Sequence, residues 1–443
     1  MNKIIEQPRF LCPLAAQQTV LGIDRAIPIV HAGPGCSSKI YEGLGFYSGF
    51  QGEGYGGGSH IPSTNFTESE VIFGGEEKLR KTIEGALKVI DADLFVVLTG
   101  CTSDIIGDDV NQVVSEFQNK NIPIISVETG GFKGNNYRGH ELVIESIIEQ
   151  FVGEITPKVR NGLVNIFSII PFQDPYWRGD LDEIKILLEK IGLEVNILFG
   201  YSSKGISEWK DIPNAQFNLL ISPWNGISTV KYLKQKYGTP FLHYKVMPIG
   251  AVETSKFLKT VGSYAGIDSK KVDNIIEEEN KKYYKYFESL IDFITINQNT
   301  HPSTFYTVAD ATYSLSISNF LIKELGYIPK IQFVIDNPNK KYNEIIKDQF
   351  QSISDEFETK VVIEDDGGKI KEIIKATYNK PNDTVIIGSS WEKQICSDIG
   401  AYLIYISWPI NHKLIVNKTY VGYSGGLTLI EDIYSKILEK NKG

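Results

Sequence analysis

The chain has 443 residues, 42% of them hydrophobic and 22% charged, and a formal net charge of −9. That length exceeds what one core ordinarily supports and predicts two to four domains, with three as the starting expectation. The acidic balance shows no concentrated basic face and argues against a nucleic-acid partner, and no apolar run approaches the ~18 residues of a membrane helix.

Short β-type runs alternate with helical patterns along the chain. In order, the first third predicts strand IPIVHAG then helix SSKIYEGL; strand VIFGG then helix EEKLRKTIEGALKVI; strand LFVVLTG then helix TSDIIGDDVNQVVSEFQ; and strand IPIISVET then helix RGHELVIESIIEQFV. The second third restarts at LVNIFSII, continues through a helix at 180–192, strands EVNILFG and FNLLISP, a helix at 227–237 and strand PFLHY, and closes on the charged helix VDNIIEEENKKYYKYFESLIDFI. The last third runs TFYTVAD, SLSISNFLIKELG, KIQFVID, an Asn/Lys-rich helix, TKVVIED, DTVIIGSS, AYLIYISWP and a final helix near 426–438. This is an α/β pattern of three successive Rossmann-like domains with parallel sheets covered by helices, expected over 1–158, 159–297 and 298–443. The repetition is one of architecture, with only weak sequence self-similarity.

Several motifs are set aside. QGEGYGGG holds Gly52, Gly54 and Gly57 at dinucleotide-fingerprint spacing, yet it runs into SHIPSTNFTE instead of opening a helix, so a surface loop is expected. No phosphate-binding GxxxxGK[ST], GxSxG elbow or HExxH occurs, and the six histidines are scattered singly. If ATP matters, another chain binds it. Asp108 and Asp109 begin a predicted helix, where carboxylates complement the dipole and a structural role is expected.

The four cysteines form no CxxC pair. The opening MNKIIEQPRFLCPL lacks the features of a signal peptide, so a cytoplasmic chain with reduced thiols is expected. Cys12, Cys36 and Cys101 each stand where a strand or loop feeds a helix, a position whose N–H groups and dipole favour the metal-binding thiolate. Strand ends of open α/β sheets gather into one crevice, so the three can converge. Gly35 and Gly100 beside them would let the backbone approach an inorganic cluster. Spacing alone leaves open the plainer reading of three buried small hydrophobes, which is the expectation for Cys396. Three thiolates are one short of a full cluster set, so either another residue completes the site or the cluster is shared between chains.

CPLAAQQTVLGI, PIVHAGPGCSS, TNFTESEVIFGGEEKL and LTGCTSDIIGDDV, in that order, resemble the N-terminal domain of nitrogenase component 1 and its relatives. The resemblance continues through DIPNAQFNLLISPW, YGTPFLHYKVMPIG and ADATYSLSISNFLIKELGY to ISWPINHKLIVNKTYVGYSGGLTLIEDI. It implies that Cys12, Cys36 and Cys101 are metal ligands for an iron–sulfur cluster, P-cluster [8Fe-7S]-like or [4Fe-4S], shared with a partner subunit. The second third has no cysteine and the tail looks β-type, which implies an electron-relaying subunit and not the one carrying the substrate site. The implied partners are a homologous α-type sister subunit in an α2β2-like assembly and an ATP-dependent iron protein. Stretches such as HAGPGC and ETGGFKGNNYRGH also look like assembly scaffolds of the family, so a non-catalytic scaffold is the alternative.

Overall fold

A computed structural model describes residues 5–51, 61–167, 169–296 and 301–442. The glycine-rich stretch from Gly52 and the lone His60 lie outside them.

Three parallel sheets follow one another along the chain. β1 (Ala26–His31), β2 (Leu94–Thr99) and β3 (Ile124–Val127) form the first, in the order β1-β2-β3. Every residue of these strands is buried, because helices cover both faces, and that is why they read as unbroken apolar runs. The second sheet holds β4 (Arg160–Phe167), β5 (Glu194–Asn196), β6 (Ala215–Ile221) and β7 (Phe241–Tyr244), ordered β5-β4-β6-β7. The third holds β8 (Thr304–Ala309), β9 (Ile328–Val334), β10 (Lys360–Ile363), β11 (Thr384–Gly388) and β12 (Tyr402–Tyr405), ordered β10-β9-β8-β11-β12. The predicted α/β class with helix-covered parallel sheets is thus the observed one. Strand order reverses at β4 and at β8, and each reversal opens a crevice at the carboxyl ends of the strands.

Local differences from the sequence reading have physical causes. VIFGG is no strand but the end of a helix, Glu68–Phe73. Thr67 and Glu70 form its capping box, the Thr67 N–H donating to Glu70 Oε2 at 2.6 Å, and this local chemistry prevails where no neighbouring strand offers a partner. The single helix expected after Cys101 is two, Cys101–Ile106 and Val110–Gln118. Gly107, at φ +77°, ends the first, and Asp109 caps the second by accepting from Gln112 N–H at 2.9 Å. Helix Gly250–Ala265 lay outside the expected elements; small residues, among them Gly250, Ala251 and Gly262, line its buried face and leave a weak apolar stripe.

The chain ends tie the units together. Helix Gly422–Lys442 leaves the third sheet to pack on Gly250–Ala265 and Ser269–Ile296 of the second unit. In return the N-terminal segment crosses to the third, where Gly367 N–H donates to Glu6 C=O at 2.8 Å and Arg9 N–H to Asp365 C=O at 3.2 Å. Among the described residues no helix is long and apolar enough to cross a membrane.

Candidate functional site

The loops of the first unit assemble around its cysteines. Cys12 caps a 3-10 turn, Pro13–Ala15, whose Ala15 N–H donates to Cys12 C=O at 2.9 Å. Cys36 sits in the first turn of helix Pro34–Gly45 after β1, and Cys101 is the first residue of Cys101–Ile106 after β2. All three are half-buried, free of disulfides, and close enough for the Cys12 thiol to feel both of the others.

Backbone contacts hold this arrangement. The His31 carbonyl, at the end of β1, accepts from Gly100 N–H at 3.0 Å and from Ser103 Oγ at 2.8 Å, tying the Cys36 loop to the Cys101 loop. A Cβ on Gly100 would stand 2.5 Å from Ala32 Cβ, so the bare glycine lets the loops close on each other. Gly35 has open space where a side chain would stand. Cys12 is fixed by helix Asn136–Ser146, where Asn136 exchanges hydrogen bonds with Leu11: Leu11 N–H donates to Asn136 Oδ1 at 2.8 Å and Asn136 N–H to Leu11 C=O at 2.9 Å. On the same helix, a Cβ on Gly139 would meet Pro13 C=O at 2.1 Å, so only glycine allows this approach.

One residue the sequence reading passed over belongs to the site. A Cβ on Gly131 would stand 2.9 Å from Cys101 Sγ and 3.9 Å from Cys12 Sγ, and the Gly131 N–H donates to Cys101 Sγ at 3.1 Å. The double glycine of ETGG, directly after β3, was the available signal. Beneath the loops, His31 is fully buried against Asp108, with Nε2 3.0 Å from Oδ2, and Asp108 also accepts from Gly75 N–H at 2.9 Å. Burial holds this imidazole below its usual pKa while Asp108 pulls the other way. His31 and Asp108 thus buttress the cysteine loops, as expected of Asp108 and more specifically than expected of a lone histidine.

The expectation that helix starts would favour thiolates is overturned for two cysteines. Burial pushes the Cys12 thiol up, outweighing the bond from Leu14 N–H, with Cys101 and Cys36 adding to the rise. Cys36 is likewise pushed up by burial and then by Cys101, against a small opposing pull from Lys39. Desolvation is the largest influence on both thiols and outweighs the helix-start effect. Cys396 is buried within helix Lys393–Ile399 in the third unit, as expected of core.

The donor set fits a polynuclear iron–sulfur group. It is all sulfur, partly shielded, and served by a backbone N–H aimed at one sulfur. Among the described residues no three His, Cys, Asp or Glu side chains are gathered as a single-ion site.

A second constellation lies at the crevices of the other sheets. Asp174, Asp310 and Asp336 follow β4, β8 and β9 and are buried together beside Tyr137 and Trp224. Trp224 Nε1–H donates to Asp336 Oδ2 at 2.6 Å, while Oδ1 has no partner. Burial, then Asp310, raises the Asp336 pKa to about 7, and burial raises Asp310 to about 6. Between roughly pH 4 and 7 the folded chain therefore keeps protons that the unfolded chain has lost, so this cluster's contribution to stability falls as pH rises through that window. Asp336→Asn is expected to raise the apparent unfolding temperature at pH 8 by roughly 2–4 °C per kcal/mol of relieved repulsion, and to leave it unchanged at pH 4. An equal shift at both pH values in thermal melts would show that ionisation is not the cause.

Comparison with known proteins extends over this whole framework. The family model described as nitrogenase component 1 type oxidoreductase matches residues 12–438. The nitrogenase molybdenum-iron protein beta chain of Methanococcus maripaludis is 26% identical over 97% of this chain and 93% of its own length. One chain of the light-independent protochlorophyllide reductase of Leptolyngbya boryana is 23% identical over 82% of this chain and 70% of its own. Among solved structures, nitrogenase Cp1 at pH 6.5 superimposes with a TM-score of 0.80, covering 99% of this chain and 94% of that one at 23% identity, a likeness of fold.

Proposed function

Because the chain belongs to the nitrogenase component 1 type oxidoreductases, we propose that it is the β-type subunit of a nitrogenase or nitrogenase-like reductase, relaying electrons from an ATP-dependent iron protein to an α-type sister subunit. Cys12, Cys36 and Cys101 are its ligands to an iron–sulfur cluster, [8Fe-7S]-like or [4Fe-4S], shared with that sister across their interface. The observation that carries this reading is the meeting of three sequence-distant thiols: Cys12 and Cys101 both face Gly131, and Cys36 is close enough to interact with each of them. When bound, such a cluster supplies reversible electron storage.

This chain's residues hold and shield the sulfurs. The His31 carbonyl and Asn136 set the positions of the three loops, and Gly131 N–H offers a hydrogen bond to Cys101 Sγ that tunes potential. An apolar skirt adjoins them: Phe73, Phe132, Ile72 and Ile105 are 84%, 73%, 71% and 70% exposed. Exposed apolar surface of that extent suits burial against a partner chain. The working compartment on this reading is the cytoplasm, and the domains it assigns are 1–158, 159–297 and 298–443.

Anaerobic co-expression with the homologous sister subunit tests the reading through iron and acid-labile sulfide content. A brown complex containing both, and accepting electrons from the iron protein with ATP, is expected; colourless complex would sink it. A complex that turns over no substrate yet donates its metal to an apo-reductase would instead favour the scaffold role. Gly131→Ala should lower iron content while leaving the fold intact, because its methyl would crowd Cys101 Sγ at 2.9 Å. Iron analysis beside a thermal melt separates the two effects.

A further inference from the structure

A cavity of about 510 Å³ opens where all three units meet, with no cysteine in its lining. Its walls follow the carboxyl ends of β3, β6 and β9: Lys133 and Arg138 from the first unit, Trp224 and Ser228 from the second, Lys341 and Tyr342 from the third. That volume lies within the usual range for small-molecule sites, and strand-end crevices are where α/β folds bind ligands.

The lining has a definite chemistry. Three cations face the space, against one lining carboxylate, Glu141. Arg138 pairs with that carboxylate at 3.1 Å and with Glu145 at 3.2 Å, and Lys133 pairs with Glu128 at 2.6 Å. These are part-exposed pairs of the kind worth about 0–1 kcal/mol, readily exchanged for a ligand's charge. Lys341 has no carboxylate partner among the described residues and lies over the Tyr342 ring at 4.8 Å. Tyr342 and Trp224 form an aromatic wall, their centroids 5.9 Å apart. Ser228 Oγ is buried and has no hydrogen-bond partner. Phosphate and carboxylate groups suit the cations, and a planar ring suits the wall.

We propose that this cavity binds a small organic anion, its phosphate or carboxylate held by Lys341, Lys133 and Arg138 and its planar body laid against Trp224 and Tyr342. Its lining holds no cysteine, and the ligand goes beyond the electron-relay role.

Isothermal titration of the full chain at low salt, with phenyl phosphate, phthalate and inorganic phosphate as probes, tests it. Saturable 1:1 binding of phenyl phosphate or phthalate is expected, and the tighter of the two identifies the anionic group. Lys341→Gln, on an exposed turn and so expected to fold normally, should weaken that binding at least tenfold, and Lys133→Gln should weaken it in the same direction. No saturable binding of either ring-bearing probe at millimolar concentration would overturn the proposal. So would unchanged affinity in Lys341→Gln, or inorganic phosphate binding as tightly as phenyl phosphate.

Discussion

Replacing Cys36 or Cys101 by alanine is expected to reduce the iron and sulfide content of the co-expressed complex at least tenfold. Loss of a partner that merely orients a ligand typically costs 10–100-fold in metal affinity, and loss of the sulfur itself should cost no less. The remaining cysteines cannot substitute, because Cys396 is buried in the third unit. Cys396→Ala is therefore the matched control and should leave iron content at the wild-type level. Full metal content in Cys36→Ala or Cys101→Ala would remove those residues from the ligand set while leaving the family assignment untouched.

The second large effect is expected at Arg9, three residues before Cys12. Its guanidinium is buried, donating to Glu392 Oε1 at 2.6 Å and to Ser389 Oγ at 3.3 Å, and it stacks over Trp391 at 4.9 Å. Arg9→Met would leave the Glu392 carboxylate buried without its cation. Breaking a buried pair by removing one partner costs about 3–5 kcal/mol, much more than removing both. The unfolding midpoint in denaturant should fall accordingly, and Arg9→Met combined with Glu392→Met should recover part of the loss. A single variant no less stable than the double one would refute this account. The same substitution should loosen the segment that delivers Cys12, seen as faster hydrogen exchange across residues 6–11.

How much of this was legible beforehand differs by element. Buried parallel strands such as β1, β2 and β11 announce themselves, because strands covered on both faces must be apolar throughout. Helix Ile227–Tyr237 was legible to the residue, being bounded by Gly226 and Gly238, both at positive φ. The exposed helix Glu68–Phe73 was not, since its apolar residues face outward and imitate a strand.

The sequence by itself determined the α/β architecture and the family, both of which depend on local pattern or ordered motifs. Only the tertiary structure decided that Gly131 lies against two sulfurs, that burial raises the Cys12 and Cys36 thiols, and that Arg9 anchors the first unit to the third. It also decided where Lys133, Trp224 and Lys341 meet. Desolvation and long-range contact are properties of how distant segments enclose one another, and no local pattern encodes them.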